Sequence, residues 1–166
     1  MSAKMQTKRR LRPEPGAKVT LIGVGQAEVG RVFINKGLGS RCNSCNYANV
    51  CVKNLEPERI YKIAKVRKKK LACNLHEGEM QVVEVVEAEL PAAIASKLAI
   101  ERAIVTFSQQ DCHIQNCTSY DLCFPIGLID GDRCEVSEII ENLHCSQGLS
   151  LKKVLLRRAP FSRRPQ

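Results

Sequence analysis

Runs of alternating apolar and polar residues, rich in Val, Ile and Phe and bounded by Gly or polar residues, recur along this chain. They predict strands over residues 19–23, 31–35, 80–87, 103–107 and 150–156. Two more strands follow from a repeat, because residues 55–66 align with residues 128–139. In each copy a turn, Pro57-Glu58 or Asp130-Gly131-Asp132, leads into an alternating segment. Tyr61 and Ile63 then share one strand face, as do Cys134 and Val136 in the copy. One helix is expected over residues 90–98. Pro91 suits a first helical position, and Leu90, Ile94 and Leu98 recur every four residues.

These elements predict a β-rich α+β fold made of two pseudo-repeated β units and one connecting helix. The expected divisions are a basic N-terminal tail at 1–17, a first unit at 18–89 and the connector at 90–98. A second unit at 99–157 and a basic C-terminal tail at 158–166 complete the chain. At 166 residues, each half is small enough to need a staple beyond its own core.

Cysteines offer that staple. Cys42, Cys45, Cys51 and Cys73 read C-x2-C-x5-C-x21-C, and Cys112, Cys117, Cys123 and Cys145 read C-x4-C-x5-C-x21-C. Eight of the nine cysteines fall into this repeat, leaving Cys134, which is expected to be a small core residue. In each quartet three cysteines lie close together and the fourth is distant. Structural zinc usually draws on two pairs, whereas a cubane spreads its thiolates over four irons, so one loop can wrap three and a strand end deliver the fourth. Two [4Fe–4S] clusters are therefore expected, with two Zn2+ ions or disulfides as the alternatives. The fourth cysteine could also serve the other half's trio. His76, His113 and His144 sit beside the quartets and are read as polar surface residues.

Charge changes the picture at the ends. Of a net +9, residues 1–18 hold six cations and one acid, and residues 151–166 hold six cations and no acid. Residues 19–150 hold 14 basic and 16 acidic side chains. Polycationic tails on a neutral body suit a protein anchored to phosphates. The expected nucleic-acid contacts are Lys8, Arg9, Arg10 and Arg12, the internal run Arg67, Lys68, Lys69 and Lys70, and Arg157, Arg158, Arg163 and Arg164. With seven aromatics and no Trp, a base-stacking platform is not indicated.

The chain resembles a small uncharacterised archaeal family of cysteine-rich proteins. The resemblance is carried by residues 19–23, both quartets, Val66-Arg67, His76-Glu77-Gly78, residues 82–85, and Gly127-Leu128 through Gly131-Asp132. It spans about residues 18–157 and implies eight ligating cysteines in an archaeal cytoplasm. Cys134 stands where the family pattern usually shows an aromatic.

Catalytic signatures are missing. Gly23-Val24-Gly25 has Glu28 where a third dinucleotide-binding glycine would fall. His76-Glu77 lacks the second histidine of a zinc-protease helix, and no P-loop or deaminase signature occurs. Nor does any apolar run approach a membrane span. The expected function is a non-catalytic, cluster-bearing cytoplasmic protein that binds RNA, with rRNA in a ribosomal or translation assembly as the expected partner. The alternatives are a ferredoxin-like electron carrier with an acidic protein partner, and a cluster-dependent RNA-modification factor using Cys134 as its spare thiol.

Overall fold

The computed structural model describes residues 16–160. It contains two four-stranded antiparallel sheets. The first holds β1 (Lys18–Gly23), β2 (Val32–Asn35), β3 (Arg59–Cys73) and β4 (Gly78–Glu87), in the order β1-β4-β3-β2. The second holds β5 (Glu89–Ala95), β6 (Ile104–Thr106), β7 (Arg133–Leu143) and β8 (Leu151–Arg158), in the matching order β5-β8-β7-β6. Each loop before the long third strand carries a single helical turn, α1 (Ala48–Cys51) or α2 (Tyr120–Cys123).

The expected connecting helix at 90–98 does not form, and the fold is all-β rather than α+β. Its residues are β5 and a 3-10 turn at Ser96–Leu98, which copy β1 and the 3-10 turn at Val24–Gln26. The second unit thus begins at Glu89. Pro91 misled because it also suits an edge strand: β5 pairs only with β8, and a residue without an N–H is tolerated there. Ala92, Ala93 and Ile94 are all buried. A short apolar run buried on both faces has no period to separate strand from helix.

The duplication extends to individual hydrogen bonds. Gly30 donates to the Ile63 carbonyl at 2.8 Å, and Arg102, 72 positions later, donates to Val136 at 2.8 Å. Both donors have left-handed backbones, φ +88° and +65°. Glycine adopts that conformation without strain, whereas Arg102 is over-determined by its neighbours. The same pattern returns in the strands, where β3 and β7 each slip register one residue after Ile63 and Val136.

Each sheet has its own core. Ile22, Leu55, Tyr61, Ile63, Val83 and Val85 fill the first. Leu128, Cys134, Val136, Val154, Leu156 and Phe107 dominate the second. The alternation after each turn therefore points Tyr61, Ile63, Cys134 and Val136 inward as expected, all at most 1% exposed. The expectation that a metal or cluster site staples each unit is overturned. The sheets close on apolar side chains, and among the described residues no three His, Cys, Asp or Glu side chains form a metal-ion group.

The two units meet through charges on equivalent residues. Arg59 grips Asp132 at 2.6 and 2.8 Å and also donates to the Gly127 carbonyl at 3.0 Å. Arg158 grips Glu87 at 2.6 and 2.9 Å and Glu56 at 2.8 Å. In the repeat alignment Arg59 is the counterpart of Asp132, and Glu87 takes the place in β4 that Arg158 takes in β8. Contacts between equivalent positions place an approximate two-fold axis at this joint. Gly127, with φ +93°, lies against Ile60 and Leu90, where an added Cβ would come within 3.0 Å of both.

Burial pushes the Glu87 carboxyl up, against the Arg158 charge that draws it down. At Arg158 burial acts downward and is outweighed by Glu87 and Glu56. The desolvation cost makes the pairs a specifier of how the units dock more than a source of net stability. Arg59→Asp sets two nearly buried carboxylates face to face and is expected to cost about 3–5 kcal/mol in urea unfolding. Because the two positions are equivalent, adding Asp132→Arg should recover most of that loss. A double variant no more stable than the single one would remove the two-fold account of the joint.

Candidate cysteine sites

The first quartet assembles where a loop is strapped across the sheet edge. Between β2 and β3, Cys42 opens a 3-10 turn, the Cys45 N–H donates to the Cys42 carbonyl at 3.1 Å, and the Ala48 N–H donates to Cys45 at 3.2 Å, leading into α1. The Thr20 hydroxyl donates to the Cys51 carbonyl, and the Asn54 amide donates to the Val19 carbonyl at 2.7 Å, fixing the loop on β1. Cys73 ends β3 opposite Gly78. The four cysteines line one open, shallow hollow, together with Arg41, Ala48 and Leu75. Arg41 donates to the Asn74 carbonyl at 3.2 Å, tying the loop to the β3–β4 turn. At Gly39 an added Cβ would lie 2.7 Å from a terminal methyl of Leu75, so any side chain there would push Leu75 aside.

The second quartet repeats this arrangement. Cys112, Cys117 and Cys123 come from the β6–β7 loop and α2, and Cys145 follows the end of β7. They line a similar open hollow with Gln110, Ser119, His144 and Leu151. Its floor is apolar, because Cys123 packs with Ala93 and Leu151. Each quartet is complete within its own unit, so no cysteine is exchanged between halves.

Matching backbone donors face sulfur in both sites. Tyr47 N–H donates to Cys45 Sγ at 3.4 Å, and Ser119 N–H donates to Cys117 Sγ at 3.4 Å. Such bonds favour the thiolate, the form that binds metal. Other forces oppose it in the absence of a cation. Burial, then the charges of Cys73 and Cys42, push the Cys51 thiol up to about 11. Burial and the other three thiols of its set raise Cys123 as well. Four thiolates in one hollow therefore need a polycation to neutralise them.

The spacing of the thiols bears on which cation. All nine cysteines are free, so no bridge competes. Tetrahedral zinc would hold its sulfurs only about 3.8 Å apart, given Zn–S bonds of about 2.3 Å; among the described residues no three His, Cys, Asp or Glu side chains are drawn together as they would be around a bound ion of any kind. A cubane would instead spread its four thiolates over four irons.

Cys134 is 0% exposed, 3.8 Å from the Asp132 carbonyl, with its thiol pushed up to about 12, first by burial and then by Asp132. It cannot serve as the reactive spare thiol of an RNA-modification factor. Of the histidines, His144 lines the second hollow, while the His113 side chain is 96% exposed, 3.8 Å from Asp111.

The basic residues are less available than their sequence suggested. Arg158 is spent at the joint, and Arg157 pairs with Glu135 at 3.0 Å and Glu89 at 3.9 Å. Arg67 pairs with Glu84 at 2.8 Å and Lys70 with Glu79 at 3.6 Å. Lys68 and Lys69 remain exposed on the bulge of β3, where three residues, Arg67 to Lys69, lie between paired positions. Lys8, Arg9, Arg10, Arg12, Arg163 and Arg164 lie outside the described residues. Sequence reasoning missed Arg41, whose only signal was its place beside Cys42, and both joint ion pairs, which nothing local marks.

Fold and sites together define a class: an internally duplicated all-β protein with one four-cysteine hollow per unit. The chain belongs to the uncharacterised protein family UPF0179, whose model matches residues 18–156. A UPF0179 protein of Methanosarcina mazei is 37% identical over 146 residues, 86% of this chain and 97% of that protein. One from Methanothermobacter thermautotrophicus is 37% identical over 145 residues, 84% and 96% of the two chains. One from Thermococcus onnurineus is 41% identical over 131 residues, 78% and 87%. These relatives are archaeal, in line with the family resemblance. No solved structure matches. Among the described residues no helix is long and apolar enough to cross a membrane.

Because none of its four cysteines belongs to the first core, replacing Cys42, Cys45, Cys51 and Cys73 together by Ser should leave the far-ultraviolet β signal intact. Cys134 should resist alkylation in the folded protein and react only on unfolding, read by mass spectrometry with and without denaturant. Loss of β structure in the quadruple variant would restore the staple.

Proposed function

We propose that this protein is a non-catalytic carrier of two [4Fe–4S] clusters that binds RNA through its basic tails, within a translation assembly. The observation that carries the cluster assignment is the repeated hollow. Three thiols from one loop and a fourth from a strand end surround a space in each unit, with an N–H···S bond on the equivalent cysteine. Cys42, Cys45, Cys51 and Cys73 would hold one cluster; Cys112, Cys117, Cys123 and Cys145 would hold the other. The clusters would supply cationic charge that lets four thiolates coexist and would order the two loops.

A use as loop-ordering centres is favoured over an electron relay by where the hollows lie. Each sits at the hairpin end farthest from the joint. Nine residue steps of β4, on the order of 30 Å, separate Gly78 from Glu87. With Arg67, Lys70, Arg157 and Arg158 engaged in ion pairs, phosphate contacts fall to Lys68, Lys69 and the tails, and to shape and charge instead of base stacking.

Anaerobic purification or reconstitution is expected to give about eight irons and eight sulfides per chain, with a broad visible absorption. Cys51→Ala and Cys123→Ala should each lose half of the iron, and Cys134→Ala none. Two redox-silent zinc ions per chain would overturn the cluster assignment. For RNA, changing Arg9, Arg10, Arg12, Arg163 and Arg164 to Gln should weaken binding and flatten its salt dependence by about 0.7–0.9 for each phosphate no longer neutralised. An unchanged salt slope would rule out the tails as anchors.

A further inference from the structure

The two hollows share a frame but not a charge. The first loop, residues 36–54, carries Lys36, Arg41 and Lys53 and no acid; its counterpart, residues 108–126, carries Asp111 and Asp121 and no Lys or Arg. The strand-and-turn segments that deliver the fourth cysteine differ in the same direction. Residues 65–79 hold Lys65, Arg67, Lys68, Lys69 and Lys70 against Glu77 and Glu79, with Glu84 of β4 facing Lys65 and Arg67; residues 138–150 hold Glu138 and Glu141 and no cation, with Lys153 of β8 facing Glu141 at 3.6 Å. The residue beside the first cysteine is Arg41 in one unit and Asp111 in the other. Over whole units, residues 18–88 carry twelve basic and seven acidic side chains, and residues 89–160 carry seven and nine.

We propose that the two sites hold clusters of different reduction potential, the first being the more easily reduced. The inference rests on the cluster reading above. A cluster's potential responds to its type, the hydrogen bonds to its sulfurs, its exposure and the charge around it. The duplication holds several of these equal. Each site has four cysteines, and the N–H···S bonds at Cys45 and Cys117 are both 3.4 Å. What differs most is charge. One-electron reduction takes a cubane from 2+ to 1+ with no bond made or broken, so with four thiolates the site goes from −2 to −3. Nearby cations favour that added charge, and nearby carboxylates oppose it. The difference is one of poise and not of role: at potentials where the first site is reduced, the second stays oxidised.

The test is an anaerobic redox titration of the reconstituted full chain, with dithionite as the one-electron donor and electron paramagnetic resonance as the readout. Cys117→Ala with Cys123→Ala leaves the first site alone; Cys45→Ala with Cys51→Ala leaves the second. The first-site variant is expected to titrate at the more positive potential. Neutralising exposed charges, Lys53→Gln with Lys68→Gln and Lys69→Gln, should lower the first midpoint, and Asp111→Asn with Asp121→Asn should raise the second. High salt should narrow the gap, since these charges face solvent. Chains that never take up iron would remove the cluster reading and this inference with it. Intact clusters with equal midpoints, or with the second above the first, would overturn this inference alone.

Discussion

The arrangement of the whole molecule depends on two ion pairs that join each unit to its own copy. Where an approximate two-fold axis runs through a duplicated chain, residues near it meet their counterparts. If the copies were identical, like charges would face each other and the joint would be repulsive. Here the counterparts have diverged to opposite sign, Arg59 with Asp132 and Glu87 with Arg158. A homodimer cannot do this, because a change in one subunit is a change in both. Fusion into one chain is what permits complementary charge at the axis. The docking is also directional, since a guanidinium in bidentate contact with a carboxylate tolerates little rotation.

The joint and the cysteine sites divide the work of the fold. Around the axis, buried charge and the close approach at Gly127 fix how the sheets meet. Farther out, each sheet closes on Val, Ile, Leu and one large side chain, Tyr61 in the first and Phe107 in the second. Beyond those cores lie the hairpin ends and the cysteine loops. Only the inner face of each loop is tied to its sheet, through Thr20 and Asn54 in the first unit and through Cys123 packed on Ala93 and Leu151 in the second; the charged residues of the loops face outward. The opposite charge of the two loop systems is a divergence on that outward side.

Charge also looks different once placed in space. Along the chain, residues 19–150 are close to neutral. In the folded protein their charge separates into a cationic first unit and an anionic second one. Two of the body's cations, Arg59 and Arg158, are turned into the joint. Arg158, grouped by sequence with a basic tail, is one of the most constrained side chains of the joint.

How much of this was legible follows from the range of each interaction. Strand positions were readable because burial on one face imposes a period of two that any stretch of sequence displays. The cysteine sets were readable because two of their three gaps, x5 and x21, survived duplication. The same offset of 72, carried upstream from Cys51 and Cys123, pairs residues 90–98 with residues 18–26 and would have identified β5 as a copy of β1. Local helix cues at Pro91 hid that. Which thiols share a hollow, that Cys134 is sealed in a core, and that Arg59 finds Asp132 were not readable. They are contacts between residues far apart in sequence, set by how the sheets stack and meet. By itself the sequence determined two copies of one β unit, each with four cysteines. Only the tertiary structure decided that each copy completes its own site and that opposite charges lock the copies together, because both depend on distances that no local pattern encodes.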